Sequence, residues 1–246
     1  MPLALPYKLP KIIGHRGAAG LAPENTRAGF AVARKAGAPW VEFDVRLTAD
    51  GRCILLHDDS LERTTDAGEV EAADLTLEEL AAFDAGAWFG PEFAGETIPT
   101  LEETLDTLSI LGLGANVEIK PAPGQEIETA RAIMAVLRSS WPETLPTPLL
   151  SSFEIPALEA AQAAAPEFPR GLLLEAIPAD WLQLAERLDV ATIHCDHTQL
   201  TAERAAQIKA AGYPLLCYTV NHAGRANELF GWGVDGVFTD FPDRLA

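Results

Sequence analysis

A closed (β/α)8 barrel is the fold class that the sequence predicts. Three observations carry it. Short runs rich in Val, Ile and Leu alternate with longer Ala-rich amphipathic runs along the whole chain. Eight such units fit into 246 residues, a usual length for a barrel of this kind. Strands separated by helices pair in parallel. An open doubly wound sheet is the runner-up, but the glycine fingerprint of dinucleotide-binding sheets is missing after the first strand.

The elements follow in order. A first strand falls at 11–15 (KIIGH), and a helix over 26–36 starts from Pro23 and Asn25 or Thr26. The second strand covers 40–46 (WVEFDVR). Asp50-Gly51 then signals a hairpin turn into CILLHD at 53–58. The stretch 59–98 breaks the rhythm. It is polar and acidic, with several glycines and at most one short helix at Leu77–Ala82. Long insertions in compact domains are usually functional, so this one is expected over the C-terminal mouth of the barrel. The alternation then resumes. Strands are expected at 115–120, 147–152, 170–175, 190–195, 214–220 and 235–239. Helices are expected at 101–111, 125–139, 155–164, 179–188, 201–211 and 223–231. No linker splits the chain, so a single domain is expected over 1–246 with an insertion at about 59–98.

Composition narrows the function. Eighteen Lys+Arg stand against thirty-six Asp+Glu, a net charge of −18. Such a chain repels nucleic acid and anionic lipid. An anionic substrate would need a local positive cluster or a metal. No apolar run approaches a membrane span. Met1 to Lys11, with Pro2, Pro6 and Pro10, reads as an extended arm without signal-peptide features, and a cytoplasmic setting is expected. Cys53, Cys195 and Cys217 lie in strand-like apolar runs and are expected as buried reduced thiols.

Two groups of residues carry chemistry. Glu42 and Asp44 in VEFDV face one side of a strand. Paired carboxylates on an apolar strand resist burial, and a bound cation is the usual compensation. Glu118, facing the same side as Lys120 in VEIK, adds a third carboxylate from the next barrel strand. Three carboxylates make a hard oxygen site for Mg²⁺ or Ca²⁺, and no Cys/His cluster has zinc spacing. His15-Arg16-Gly17 sits where the first strand ends, the face on which barrel enzymes act. His15 is a candidate acid or base, Arg16 offers a planar fork for phosphate, and Gly17 permits a tight turn. His57-Asp58 closes the run at the start of the insertion and supplies a second proton-transfer group. The APENT segment (22–26) reads first as a helix start, with a site-ordering role open for Glu24 or Asn25.

HRG at 15–17, PENT at 23–26, ExD at 42–44, HDD at 57–59 and EIK at 118–120 resemble the glycerophosphodiester phosphodiesterases in order and spacing. LLSSFE (149–154), YTVN (218–221) and the run from Gly231 to Pro242 extend the resemblance over essentially the whole chain. It looks most like the cytosolic bacterial branch, the UgpQ type. The resemblance implies metal-dependent hydrolysis of glycerophosphodiesters to sn-glycerol 3-phosphate and an alcohol. Glu42, Asp44 and Glu118 would hold one divalent cation, with Mg²⁺ ahead of Ca²⁺ or Mn²⁺. His15 and His57 would form the acid/base pair, with either one in either role. Water or the glycerol 2-hydroxyl would attack. Arg16 and Lys120 would bind the phosphate. Tyr218 stands where the family often has a Trp near the glycerol, and Phe153 is expected at the mouth. The expected partner is a small glycerophosphodiester, with no nucleic acid, no stable membrane association, and a monomeric or homodimeric state. His194 and His197, which bracket Cys195 and Asp196, are expected in a loop near the mouth because the family does not use them as ligands.

Competing readings are weaker. A lipid-cleaving barrel enzyme of the phospholipase C or sphingomyelinase D kind would be expected to show a basic or apolar docking face. A silent binder of phosphorylated ligands would not need both histidines and all three carboxylates. Nothing specific supports a generic barrel isomerase.

Overall fold

The computed structural model describes residues 3–245. Nine strands run in chain order: β1 (Ile12–Gly14), β2 (Trp40–Leu47), β3 (Cys53–Leu55), β4 (Gly114–Ile119), β5 (Leu149–Ser152), β6 (Arg170–Leu174), β7 (Thr192–Asp196), β8 (Leu215–Tyr218) and β9 (Gly236–Thr239). All except β3 are parallel, and β1 pairs with both β2 and β9, which closes an eight-stranded barrel. The helices are α1 (Arg27–Lys35), α2 (Leu77–Leu80), α3 (Leu101–Leu111), α4 (Glu126–Ser140), α5 (Ile155–Ala164), α6 (Trp181–Arg187), α7 (Ala202–Ala210) and α8 (Ala223–Gly231). This is a TIM barrel, as the alternation predicts. β9 is followed by a 3-10 turn at Pro242–Arg244.

Alternation along each strand sorts the side chains. Outward residues such as Val41, Phe43 and Val117 pack under the helices, as do Ile193 and Cys217 on the opposite side. Inward residues Ile13, Trp40, Leu149, Leu216 and Phe238 fill the barrel's N-terminal half, where the arm adds Leu5, Tyr7 and Leu9. The arm from Leu3 to Lys11 has no helix or strand, in keeping with its prolines; Met1 and Pro2 lie outside the described residues. The three cysteines are buried and free. Helix starts obey local chemistry. Thr26 accepts from the Gly29 N–H, and Thr100 with Glu103 forms a capping box at α3.

The hairpin at Asp50-Gly51 forms as expected, with β3 antiparallel to β2 and Val45 opposite Leu55. The insertion beyond it departs from expectation. Ile54, Leu56, Leu61, Leu80 and Ile98 form a small core of their own. That core includes Ile54 of β3, and no residue of 59–98 lines the central cavity. Among the described residues, no helix is long and apolar enough to cross a membrane.

Candidate active site

The strand register assembles the carboxylates. Glu42 and Asp44 lie two apart on β2, and Asp44 is directly paired with Glu118 of β4. One oxygen from each of the three lies within 4.8 Å of the others. All three side chains are nearly or fully buried. Burial and the charges of Asp44 and Glu118 push Glu42 well above the usual carboxylate range. Burial first, and then Asp44, pushes Glu118 up to about 7. Burial would raise Asp44 too, but Lys120 and Arg16 overcome it and hold that carboxyl low. Lys120 Nζ lies 3.4 Å from Asp44 Oδ1 and 3.7 Å from Glu118 Oε1. Arg16 Nε lies 3.4 Å from Asp44 Oδ2. Two positive side chains only partly balance three acids. This donor set fits a divalent cation, whose charge relieves the repulsion that holds Glu42 and Glu118 up.

The turn after β1 delivers Arg16 and His15. Arg16 has a left-handed backbone with φ 48°, and its N–H donates to Glu42 Oε2 at 2.9 Å. Gly17 has φ 88°, and a Cβ there would meet the Gly29 backbone at 2.8 Å. The turn therefore demands glycine on two counts. Asn25 is not the helix cap. Its Nδ2 donates to Asp44 Oδ2 at 2.9 Å, and its Oδ1 accepts the Asp44 N–H, so it orders the site while Thr26 caps α1.

Each histidine leans on an aspartate. His15 Nδ1 lies 2.7 Å from Asp240 Oδ1, and Asn221 Nδ2 donates to Asp240 Oδ2 at 2.7 Å. Burial would raise Asp240, but its hydrogen bond with His15 holds it low. An ionised carboxylate only accepts, so Nδ1 donates and Nε2 is left for chemistry. That Nε2 is 3.9 Å from Glu42 Oε2. His57 repeats the arrangement. The Leu56 N–H donates to Asp44 O, which carries the hairpin ladder on to the cluster. His57 Nδ1 lies 2.6 Å from Asp58 Oδ1. Asp58 is held down to about 2: burial opposes this, and hydrogen bonds from Arg63 and His57 prevail. Burial lowers His57, against the pull of Asp44, and so favours the neutral imidazole at pH 7. Arg46, buried on β2, donates through Nε and Nη2 to His57 O at 3.0 and 2.7 Å.

Arg63 links the insertion to the barrel. It donates to Asp58 Oδ2 at 2.6 Å and, through a bidentate fork, to Glu24 at 2.7 and 2.8 Å. Glu24 in turn accepts from Arg16 Nη1 at 2.9 Å. An unbroken chain of charged hydrogen bonds thus runs from His57 to Arg16.

These groups open onto one cavity of about 350 Å³. His15, Arg16, Glu42, Glu118, His57 and Lys120 line it. Phe153 and Tyr218 also line it, edge to face with ring centroids 6.0 Å apart, and the Tyr218 hydroxyl is tied to Leu174 O. One expectation is corrected. His197 follows β7 in a loop, but His194 lies within β7, fully buried and facing the cavity. The two-residue alternation from Asp196 carries it inward. Asp240, Arg46, Arg63, Asn116 and Ser151 escaped the sequence reading. For Asp240 a signal existed, since it stands one residue beyond a barrel strand, on the catalytic face.

Fold and cluster together define a TIM-barrel enzyme with its chemistry at the C-terminal ends of the strands. Comparison with known proteins gives the family. The sequence model of the glycerophosphoryl diester phosphodiesterase family matches residues 15–244, and the chain belongs to that family. A glycerophosphodiester phosphodiesterase from Caldanaerobacter subterraneus is 34% identical over 238 residues, covering 95% of each chain. One from Bacillus subtilis is 33% identical over 256 residues, covering 94% of this chain and 83% of its own. A solved phosphodiesterase from Oleispira antarctica, in complex with the product sn-glycerol-3-phosphate, superposes with a TM-score of 0.94 at 44% identity, covering 96% of this chain and 95% of its own.

Proposed function

We propose that this chain hydrolyses glycerophosphodiesters to sn-glycerol 3-phosphate and an alcohol. The observation that carries the reading is the meeting of two aspartate-oriented histidines with three buried carboxylates around one cavity, in a member of this family. The product bound to the Oleispira relative supports the same reaction. Glu42, Asp44 and Glu118 would hold one divalent cation, Mg²⁺ first and Ca²⁺ or Mn²⁺ next. When bound, it supplies positive charge for the nonbridging phosphate oxygens.

The side chains do the rest. Arg16 lines the cavity and would turn its guanidinium to a phosphate oxygen. Lys120 adds a second donor where negative charge accumulates. One imidazole Nε2 takes the proton of the attacking oxygen, and the other donates to the departing alkoxide. Each aspartate accepts from Nδ1–H, which leaves Nε2 bare on the ring that acts as base; the ring that acts as acid carries a proton on both nitrogens.

The test is release of sn-glycerol 3-phosphate from glycerophosphocholine and glycerophosphoethanolamine, after EDTA and then with Mg²⁺, Ca²⁺ or Mn²⁺ restored. Turnover should vanish and return. No turnover with any metal on either diester sinks the reading. His15→Ala and His57→Ala should each lower kcat on the order of 10²- to 10⁴-fold. Near wild-type rates in both would refute the two-histidine scheme.

A further inference from the structure

The YTVN run at 218–221 ends on Asn221, which neither the cation site nor the phosphate donors use. It follows β8, is half-buried, and does not line the cavity. Both ends of its amide are committed to the turn after β9. Asn221 Oδ1 accepts the Asp240 N–H at 2.9 Å and the Thr239 hydroxyl at 3.1 Å. Asn221 Nδ2 donates to Asp240 Oδ2 at 2.7 Å. A backbone N–H only donates, so the amide oxygen must face it, and the NH2 group is thereby turned onto the carboxylate.

The other oxygen of Asp240 faces His15 Nδ1 at 2.7 Å. Among the described residues, His15 and Asn221 are the two side chains that hydrogen-bond this carboxylate. Burial would raise it, and both bonds hold it low. Its backbone is anchored separately. The His15 N–H donates to Thr239 O at 2.8 Å, and the Gly20 N–H donates to Asp240 O at 3.0 Å. Those bonds set where residue 240 sits and leave its side-chain torsions free. Asn221 removes that freedom. It stands to Asp240 as Arg63 stands to Asp58, with a neutral donor in place of a charged one.

We propose that Asn221 is a positioning residue for His15: its amide holds Asp240 in the rotamer that accepts from Nδ1–H, which keeps His15 Nε2 toward the cavity. The kinetic consequence rests on the phosphodiesterase reading above. Asn221 acts through Asp240, so its loss should lower kcat and leave KM nearly unmoved.

Two single variants and one exchange test this, with Mg²⁺ present and thermal melts to identify folded proteins. Asn221→Asp keeps an oxygen for the Asp240 N–H and the Thr239 hydroxyl, but sets a like charge against Asp240 Oδ2. It should lower kcat for glycerophosphocholine on the order of 10- to 100-fold, with KM within about threefold. Asn221→Ser, too short to reach the Asp240 carboxylate, should behave likewise. The double variant Asn221→Asp/Asp240→Asn exchanges the pair. The new carboxylate takes the NH2 group of the new amide, whose oxygen is returned to His15 Nδ1. Its kcat should exceed that of Asn221→Asp or Asp240→Asn alone by about fivefold or more, a coupling that independent sites do not show. Nitrogen-15 NMR at pH 8 should find the His15 ring protonated at Nδ1 in wild type and in the double variant, and mixed between tautomers in Asn221→Asp. An unchanged kcat and tautomer in a folded single variant, or no recovery in the exchange, overturns the proposal and leaves Asn221 a support of the turn. If wild type hydrolyses no glycerophosphodiester while the tautomer still responds in this way, the enzymatic reading fails and the positioning of His15 stands.

Discussion

His15 and His57 come from different strand ends, yet each is tied through Nδ1 to an aspartate that follows a strand or its extension. The convergence has a physical cause. An imidazole that must accept at Nε2 needs its other nitrogen committed to donating, and an ionised carboxylate enforces that. Asp240 matters in proportion to this constraint. A charge-assisted hydrogen bond is worth about 1.5–3 kcal/mol. Asp240→Asn should therefore lower kcat on the order of 10- to 100-fold, because an amide can donate to Nδ1 and favour the wrong tautomer. Steady-state kinetics decides the matter, and a change within twofold would remove Asp240 from the positioning of His15.

At the scale of elements, the segment 59–98 works as a buttress. Its own small core holds it to β3, and its link to the catalytic face is Arg63, forked on Glu24 and bonded to Asp58. Arg63→Met should free Asp58 and, with it, His57. We expect faster limited proteolysis within 59–98 and a fall in kcat on the order of tenfold, the cost of about one charged hydrogen bond. Arg63→Lys should recover only part of the loss, since an ammonium cannot reproduce the fork. Proteolysis and kinetics indistinguishable from wild type would show that the insertion is held by its apolar core alone.

For the whole molecule, the buried carboxylates couple folding to pH and to metal. Glu118 has a folded pKa of about 7, above its ordinary 4.5. A raised pKa contributes stability that is complete below the unfolded value and lost as pH rises through the folded one. Glu42 acts in the same direction. The aspartates held low act in a separate window, losing their contribution below about pH 4. His194 and His57, held low by burial, oppose this below about pH 6.5, so the metal-free protein should melt at lower temperature as pH rises from about 6.5 to 8. A cation bound only by the folded state offsets this. At a concentration 100-fold above its Kd it adds about 2.7 kcal/mol, on the order of 5–10 °C for a chain of this size. Tm measured against pH, with EDTA and with Mg²⁺, should give diverging curves. Parallel curves would show that the ion does not answer the repulsion among these acids.

The sequence by itself determined the barrel, the hairpin and the acidic triad, because each is written in local periodicity. Alternation places Glu42 beside Asp44 on one face, and the DG turn sends the chain back along β2 to present His57. Other features depend on contacts across long stretches of chain. Asp240 meets His15 only when β9 closes on β1, and Arg63 reaches Glu24 only when the insertion folds on its own core. His194 illustrates the limit most sharply. Its neighbours in sequence suggested a loop at the mouth, but the strand boundary and the register of β7 against β6 put it at the cavity floor opposite Leu173. Which polar atoms remain unpaired there is decided by packing from several strands together, and no single segment of sequence encodes it.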